Sequence, residues 1–163
     1  MQAINLPLRD LKIIAIEQYG AAPFGTMYLA DLGAEVIKLE NHKNGGEMGR
    51  HVLPYAENGD SLFFQTFSAN KKSIALDLQT KSGQRILHRI SADADAVINN
   101  LRGDLPTKLH LDYSSLKKVK KDIVCVHLSA YGRHNSRAAW PGLDYVMQAE
   151  AGYLSMTGEP ENL

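Results

Sequence analysis

LKIIAIEQYGAAPFGTMYLADLGAEVIKLE, residues 11–40, changes its hydrophobic period twice. LKIIAIE (11–17) is a short β-branched run, and branched side chains pack well on a pleated surface. After QYGAAP comes FGTMYLADLG, where Phe24, Met27, Tyr28 and Leu32 recur at helical spacing before Gly33 stops the pattern. AEVIKLE (34–40) alternates Val36 and Lys38 with its neighbours and reads as a second strand. Strand, helix and strand in this order make a βαβ unit, whose crossover leaves its two strands parallel.

The same alternation continues downstream. SIALDL (73–78) reads as a third strand. TKSGQRILHRISADA (80–94) is a helix with Thr80 or Ser82 available as its cap and Ile86, Leu87 and Ile90 on one face. DAVINN (95–100) is a fourth strand, DYSSLKKVKK (112–121) a helix opening on Asp112 and running into lysines, and DIVCVHLS (122–129) a fifth strand. The pattern therefore predicts an α/β fold with a mostly parallel sheet flanked by helices on both faces. The stretch 41–72 carries four glycines and is too long for a simple connection. Loops of that kind in α/β folds often carry function.

Composition bounds the rest. The 163 residues are 44% hydrophobic and 22% charged, with 18 basic against 18 acidic side chains and a formal net charge of zero. This fits one ordinary soluble domain over residues 1–163, without internal repeats or linkers. No basic footprint argues for nucleic acid or for an anionic membrane. The apolar runs are far shorter than the roughly 20 residues a spanning helix needs. MQAINLPLRD lacks a basic start followed by an apolar run, and the single cysteine, Cys125, lies inside a strand. These features predict a cytoplasmic protein whose Cys125 is a small buried residue rather than a reactive thiol. The histidines His42, His51, His88, His110, His127 and His134 show no paired metal-ligand spacing, so no metal site is expected. LKKVKK reads as a solubilising helix end.

In open α/β sheets, ligands settle at the carboxyl ends of the strands, where helix N-termini and free backbone N–H groups hold anions. After the first strand, GAAP places small residues and a proline at the mouth of a helix. After the fourth, NNLRGDLPTK offers Asn99, Asn100, Arg102 and Lys108, two amides and two cations on a turn suited to a phosphorylated, nucleotide-like ligand. The same residues also fit a solvated loop and a tight packing turn, because neither G-x-G-x-x-G nor a Walker loop is present.

Taken together and in order, GAAPFGTMYLADLGAEVIKLEN, NKKSIALDLQTKSGQ, DAVINNLRGDLPTKLHLDYSSLKKVKKDIVCVHLSAYG and PGLDYVMQAEAGYLSMTGEPE resemble the successive signatures of the class III CoA-transferases. That family includes formyl-CoA and carnitine CoA-transferases, with α-methylacyl-CoA racemase as a relative, and the resemblance runs from about residue 8 onward. It implies a Rossmann-like domain binding coenzyme A (CoA), acyl-CoA and carboxylic acid substrates without a tightly bound cofactor, and interlocked homodimers several hundred residues long per chain.

Carried over by position, the family's CoA contacts fall at Gly20, Ala21, Asn41, Leu76, Gln79, Asn100, Leu101, Arg102, Lys108, Gly142, Leu143 and Asp144. Arg102 and Lys108 would neutralise phosphate charge, and Leu76 and Leu101 would pack on adenine or pantetheine. Some relatives have glutamine where this chain has Gly20 and lysine where it has Gln79, so a hydrogen bond and a charge are lost.

In the family an aspartate attacks the acyl-CoA thioester and carries the transfer. The resemblance places it roughly ten residues after GEPE, beyond Leu163, so no catalytic residue is assigned and Glu161 is not the expected nucleophile. Racemases have Gly-His-Asp where this chain has Gly142, Leu143 and Asp144, and leucine cannot move a proton. Asp144 equally suits a helix cap ahead of YVMQAEAGYL. Two readings result: the CoA-binding N-terminal part of a CoA-transferase, read as truncated, or a non-catalytic acyl-CoA or nucleotide binding module. The closing SMTGEPENL (155–163) is read as a turn leading toward the family's nucleophile.

Overall fold

The computed structural model describes residues 5–158. Five parallel strands, β1 (Lys12–Ile16), β2 (Glu35–Glu40), β3 (Lys71–Ala75), β4 (Ala96–Asn99) and β5 (Val124–His127), form one sheet in the order β3-β2-β1-β4-β5. The intervening helices are α1 (Ala21–Asp31), α2 (Leu62–Ser68), α3 (Lys81–Ser91), α4 (Leu105–Lys108) and α5 (Tyr113–Leu116), and α6 (Asp144–Glu150) follows β5. Strand order runs outward to β3, then returns to β4 beside β1, which creates a topological switch point between β1 and β4.

Each face of the sheet has its own apolar layer. Ile14, Ile16, Leu39 and Val97 pack against Leu87 of α3 together with Leu111 and Leu116. Ile13, Ala15 and Val36 pack against Ala30 of α1 and Ala34. Ala22 and Ala30 are the small residues that let α1 approach closely, while its Phe24 and Tyr28 remain exposed. Along β5, Val124 and Val126 are in register with Ala96 and Ile98, on the α1 side, and both stay exposed because no described element covers that end of the face.

The expected boundaries shift in instructive places. The third strand starts at Lys71 rather than Ser73, because Lys71 and Lys72 pair with Val36 and Ile37. It ends early because Asp77 turns the chain, its Oδ1 accepting from the Gln79 N–H at 2.9 Å. Thr80, not Ser82, caps α3, accepting from the Gly83 N–H at 3.0 Å. Leu87 is fully buried and Ile90 partly so, but Ile86 is exposed, since the buried stripe runs through Gly83, Leu87 and Ser91. The helix expected over 112–121 shortens to Tyr113–Leu116.

The 41–72 connection is not wholly irregular. It holds short 3-10 turns at His42–Asn44 and Met48–His51 and the unforeseen α2, capped by Ser61, whose Oγ accepts from the Phe64 N–H at 3.2 Å. Phe67 of α2 meets Phe24 of α1 edge to face at 6.0 Å. Glu161 and the end of the closing turn lie outside the described residues.

Candidate functional site

The switch point opens into a cleft of about 1000 Å³ between the turn after β1 (Gln18–Ala21) and the turn after β4 (Asn100–Gly103), with the stretch 128–131 and the start of α6 closing its far side. Asn100 ties the two turns together. Its Nδ2 donates to the Gln18 carbonyl and its Oδ1 accepts from the Gln18 N–H, both at 2.8 Å. Gly103 lets a third segment close in, since a Cβ there would stand 2.1 Å from the Gly132 carbonyl oxygen. Tyr19, Phe63, Tyr131 and Trp140 add aromatic walls. Tyr131 and Trp140 stack edge to face at 5.8 Å, and the Arg137 guanidinium, paired with Glu150 at 2.7 Å, lies 4.8 Å from the Trp140 ring. Among the described residues no side chain caps the start of α1 and none takes the Ala21 or Ala22 N–H, and Ala21 lines the cleft.

Of the residues singled out in the sequence, Gly20, Ala21, Asn100, Leu101, Arg102, Gly142, Leu143 and Asp144 share this cleft. Gln79 and Lys108 line a second cleft of about 670 Å³, and Leu105 borders both. Asn41 caps the first 3-10 turn by accepting from the Lys43 N–H at 3.0 Å. Leu76 is buried in the core layer beneath α3. The two cations after β4 converge on one carboxylate: Asp104 lies 2.7 Å from Lys108 Nζ and 3.5 Å from Arg102 Nε, and the Lys108 hydrogen bond, with Arg102 beside it, holds its carboxyl below the usual range. Asp144 is the first residue of α6 and not its cap; Leu143 occupies the capping position, and Asp144 Oδ2 accepts from Gln148 Nε2 at 2.5 Å.

The sequence reading missed a buried ionic network behind the cleft. Val36, Lys38 and Glu40 file along the α1 side of β2, where a parallel sheet offers no solvent. Lys38 Nζ sits 3.1 Å from Glu47 and 3.5 Å from Glu17. Glu17 also takes Lys71 Nζ at 2.7 Å and the Thr26 hydroxyl at 2.6 Å. Burial pulls the Lys71 ammonium below its ordinary value, with Glu17 opposing. Glu40 accepts from Arg50 twice, from Nε and from Nη2 at 2.7 Å each, and from the Ser73 hydroxyl at 2.6 Å. Burial alone would raise its carboxyl, but these bonds and the Glu47 N–H outweigh it and hold the group at about 2. Phe64 of α2 roofs the network, 3.8 Å from the Arg50 guanidinium and 5.1 Å from Lys38 Nζ. The available signal was two charged residues within a strand that must be covered on both faces; such charges require partners.

Asn99, fully buried at the end of β4, donates to His127 Nδ1 at 2.8 Å. Burial lowers the His127 imidazolium and raises the Cys125 thiol, a direction that disfavours thiolate chemistry. Among the described residues no group of three or more His, Cys, Asp or Glu side chains is placed to hold a metal ion, and no helix is long and apolar enough to cross a membrane.

The family model for CoA-transferase family III matches residues 8–163. The chain belongs to CoA-transferase family III. Within it, the chain is 32% identical over 160 residues to a succinate–glutarate CoA-transferase of Agrobacterium fabrum, covering 95% of this chain and 40% of that protein. It is 31% identical over 156 residues to a succinyl-CoA:glutarate CoA-transferase of Mus musculus, covering 96% of this chain and 35% of that protein. A crystal structure of a CAIB/BAIF family protein from Brucella suis superimposes with a TM-score of 0.84 at 32% identity, over 96% of this chain and 42% of that one. This family III chain thus spans about 40% of the length of the relatives it matches.

Proposed function

We propose that this chain supplies the CoA site of a CoA-transferase, an enzyme that moves CoA from an acyl-CoA thioester to a free carboxylic acid. One observation carries the reading: residues drawn from three separate stretches, 20–21, 100–102 and 142–144, converge on a single cleft at the switch point. The uncapped N–H groups of α1 and the Arg102 and Lys108 cations suit the ligand's phosphates, and Leu101 with the aromatic walls suits its adenine and pantetheine. Lys108 and Gln79 extend the site past Leu105 into the second cleft.

The transfer itself needs a carboxylate nucleophile, proposed to lie beyond Leu163. That carboxylate attacks the thioester carbonyl, giving a mixed anhydride and CoA thiolate; the thiolate then attacks the enzyme's carbonyl, giving an enzyme–CoA thioester and releasing the donor acid. The acceptor carboxylate repeats the two steps in reverse, regenerating the nucleophile. This chain's part is to hold the nucleotide and pantetheine so that the thiolate is retained between the steps, which converts its return attack into an intramolecular event. An apolar, aromatic-walled cleft also excludes water from the anhydride.

The test is an assay with succinyl-CoA and glutarate, the substrates named for the mouse relative. The 163-residue chain is expected to bind CoA without turnover, and turnover is expected when the chain continues to an aspartate about ten residues on. Turnover by the 163-residue chain, lost on Glu161→Gln, would move the nucleophile to Glu161.

A further inference from the structure

Tyr19, in the turn that walls the cleft, holds a backbone φ of +58°, a left-handed conformation disfavoured for any residue with a Cβ. Its N–H donates to Glu47 Oε1 at 2.6 Å. The same carboxylate takes the Gly49 N–H at 2.6 Å and Lys38 Nζ at 3.1 Å, and the backbone N–H of Glu47 is fixed by Glu40 at 2.9 Å. Gly49 makes this possible, since a Cβ there would come within 2.9 Å of Glu47 Oε1. The neighbouring positions are tied as well: Glu17 by Thr26, Lys38 and Lys71, and Gln18 by Asn100. Three consecutive residues are thus each gripped by side chains from elsewhere in the chain.

Buried ion pairs can often be replaced by apolar side chains without loss of stability, so their presence here asks for another reason. An unfavourable backbone conformation persists only where its surroundings over-determine it, and such positions cluster where a ligand is clamped. We propose that Glu47, charge-balanced by Lys38, is a positioning residue: it holds Tyr19 left-handed so that the 18–21 turn presents its backbone and the start of α1 to the ligand of the cleft. The inference rests on the CoA reading given above.

The experiment is a calorimetric titration of CoA into the full chain. Lys38→Met combined with Glu47→Leu removes both charges together and leaves Glu17 paired with Lys71, so the fold is expected to survive. Affinity for CoA is expected to fall about tenfold in this variant, and by less than about twofold when the same pair of changes is made in a Tyr19→Gly background, because glycine adopts the left-handed turn without the clamp. Leu87→Ala, a change at a fully buried core residue that lines neither cleft, is expected to lower the melting temperature and leave affinity within about twofold. Unchanged affinity in the Lys38→Met/Glu47→Leu variant overturns the inference, as does a tenfold loss that persists in the Tyr19→Gly background. No binding by the unaltered chain removes the CoA reading itself and this inference with it.

Discussion

The side-chain amide of Asn100 meets the backbone of Gln18 across the switch point, donating to its carbonyl and accepting from its N–H, each at 2.8 Å. One side chain thereby bridges residues 82 positions apart and joins two turns that line the cleft. Removing it leaves both Gln18 groups to find water or go unpaired. Asn100→Ala is expected to cost about 1–3 kcal/mol of stability and to weaken CoA binding, whereas Asn100→Asp, which keeps only the acceptor, should also lose the Gln18 carbonyl's partner. Thermal melts paired with calorimetry check both effects; unchanged CoA binding in Asn100→Ala would detach this bridge from the site.

Asp104 pairs with Arg102 and Lys108, the two cations proposed to meet the phosphates of CoA. Asp104→Asn is therefore expected to tighten CoA binding a few-fold, and Arg102→Met to weaken it, with both differences shrinking as salt is raised. Titrations at low and high ionic strength decide the matter. Equal affinities across the series would mean that neither cation meets the phosphates.

Glu40 makes stability depend on acid. Its folded value is about 2 against an ordinary 4.5, so the folded state binds its proton less readily than the unfolded one. The stabilisation is fully present above about pH 5 and is lost as pH falls through 4.5 toward 2, amounting to roughly 3 kcal/mol at about 1.36 kcal/mol per unit. Urea denaturation between pH 6 and pH 3 should show this decline, and Glu40→Gln should flatten it while lowering stability at neutral pH.

Val124 and Val126 stand exposed on the α1 side of β5, with Leu128 exposed just beyond. Contiguous apolar surface on an edge strand invites association. Light scattering is expected to find the chain associated, and Val126→Lys to shift it toward monomer. A monodisperse monomer of the unaltered chain would count against this.

The parallel α/β architecture was legible because period 2 and period 3.6 alternate cleanly from Leu11 to Glu40 and onward, and such alternation leaves few topologies open. The boundaries were less so. Lys71 and Lys72 read as loop because lysine rarely suits a buried strand, yet Lys71 is drawn in by Glu17, a partner 54 residues away that no local pattern reveals. The helix α2 hid inside a glycine-rich connection, although Ser61 followed by Leu62, Phe63, Phe64 and Phe67 carried a capping and helical signal. At the site, strand-end turns pointed to Gly20, Asn100 and Arg102, but Tyr131 and Trp140 could not be seen as walls, because only the folding back of the segment after β5 brings them there. Nor could the sequence show that the Asn100 amide is spent on Gln18.

The switch-point cleft is the proposed binding place of CoA. Amide chemical-shift mapping of the isotope-labelled chain during a CoA titration tests it most directly. Saturable shifts concentrated at residues 18–21, 100–103, 128–131 and 142–145 are predicted; an unchanged spectrum, or shifts confined to surfaces away from these turns, would contradict it.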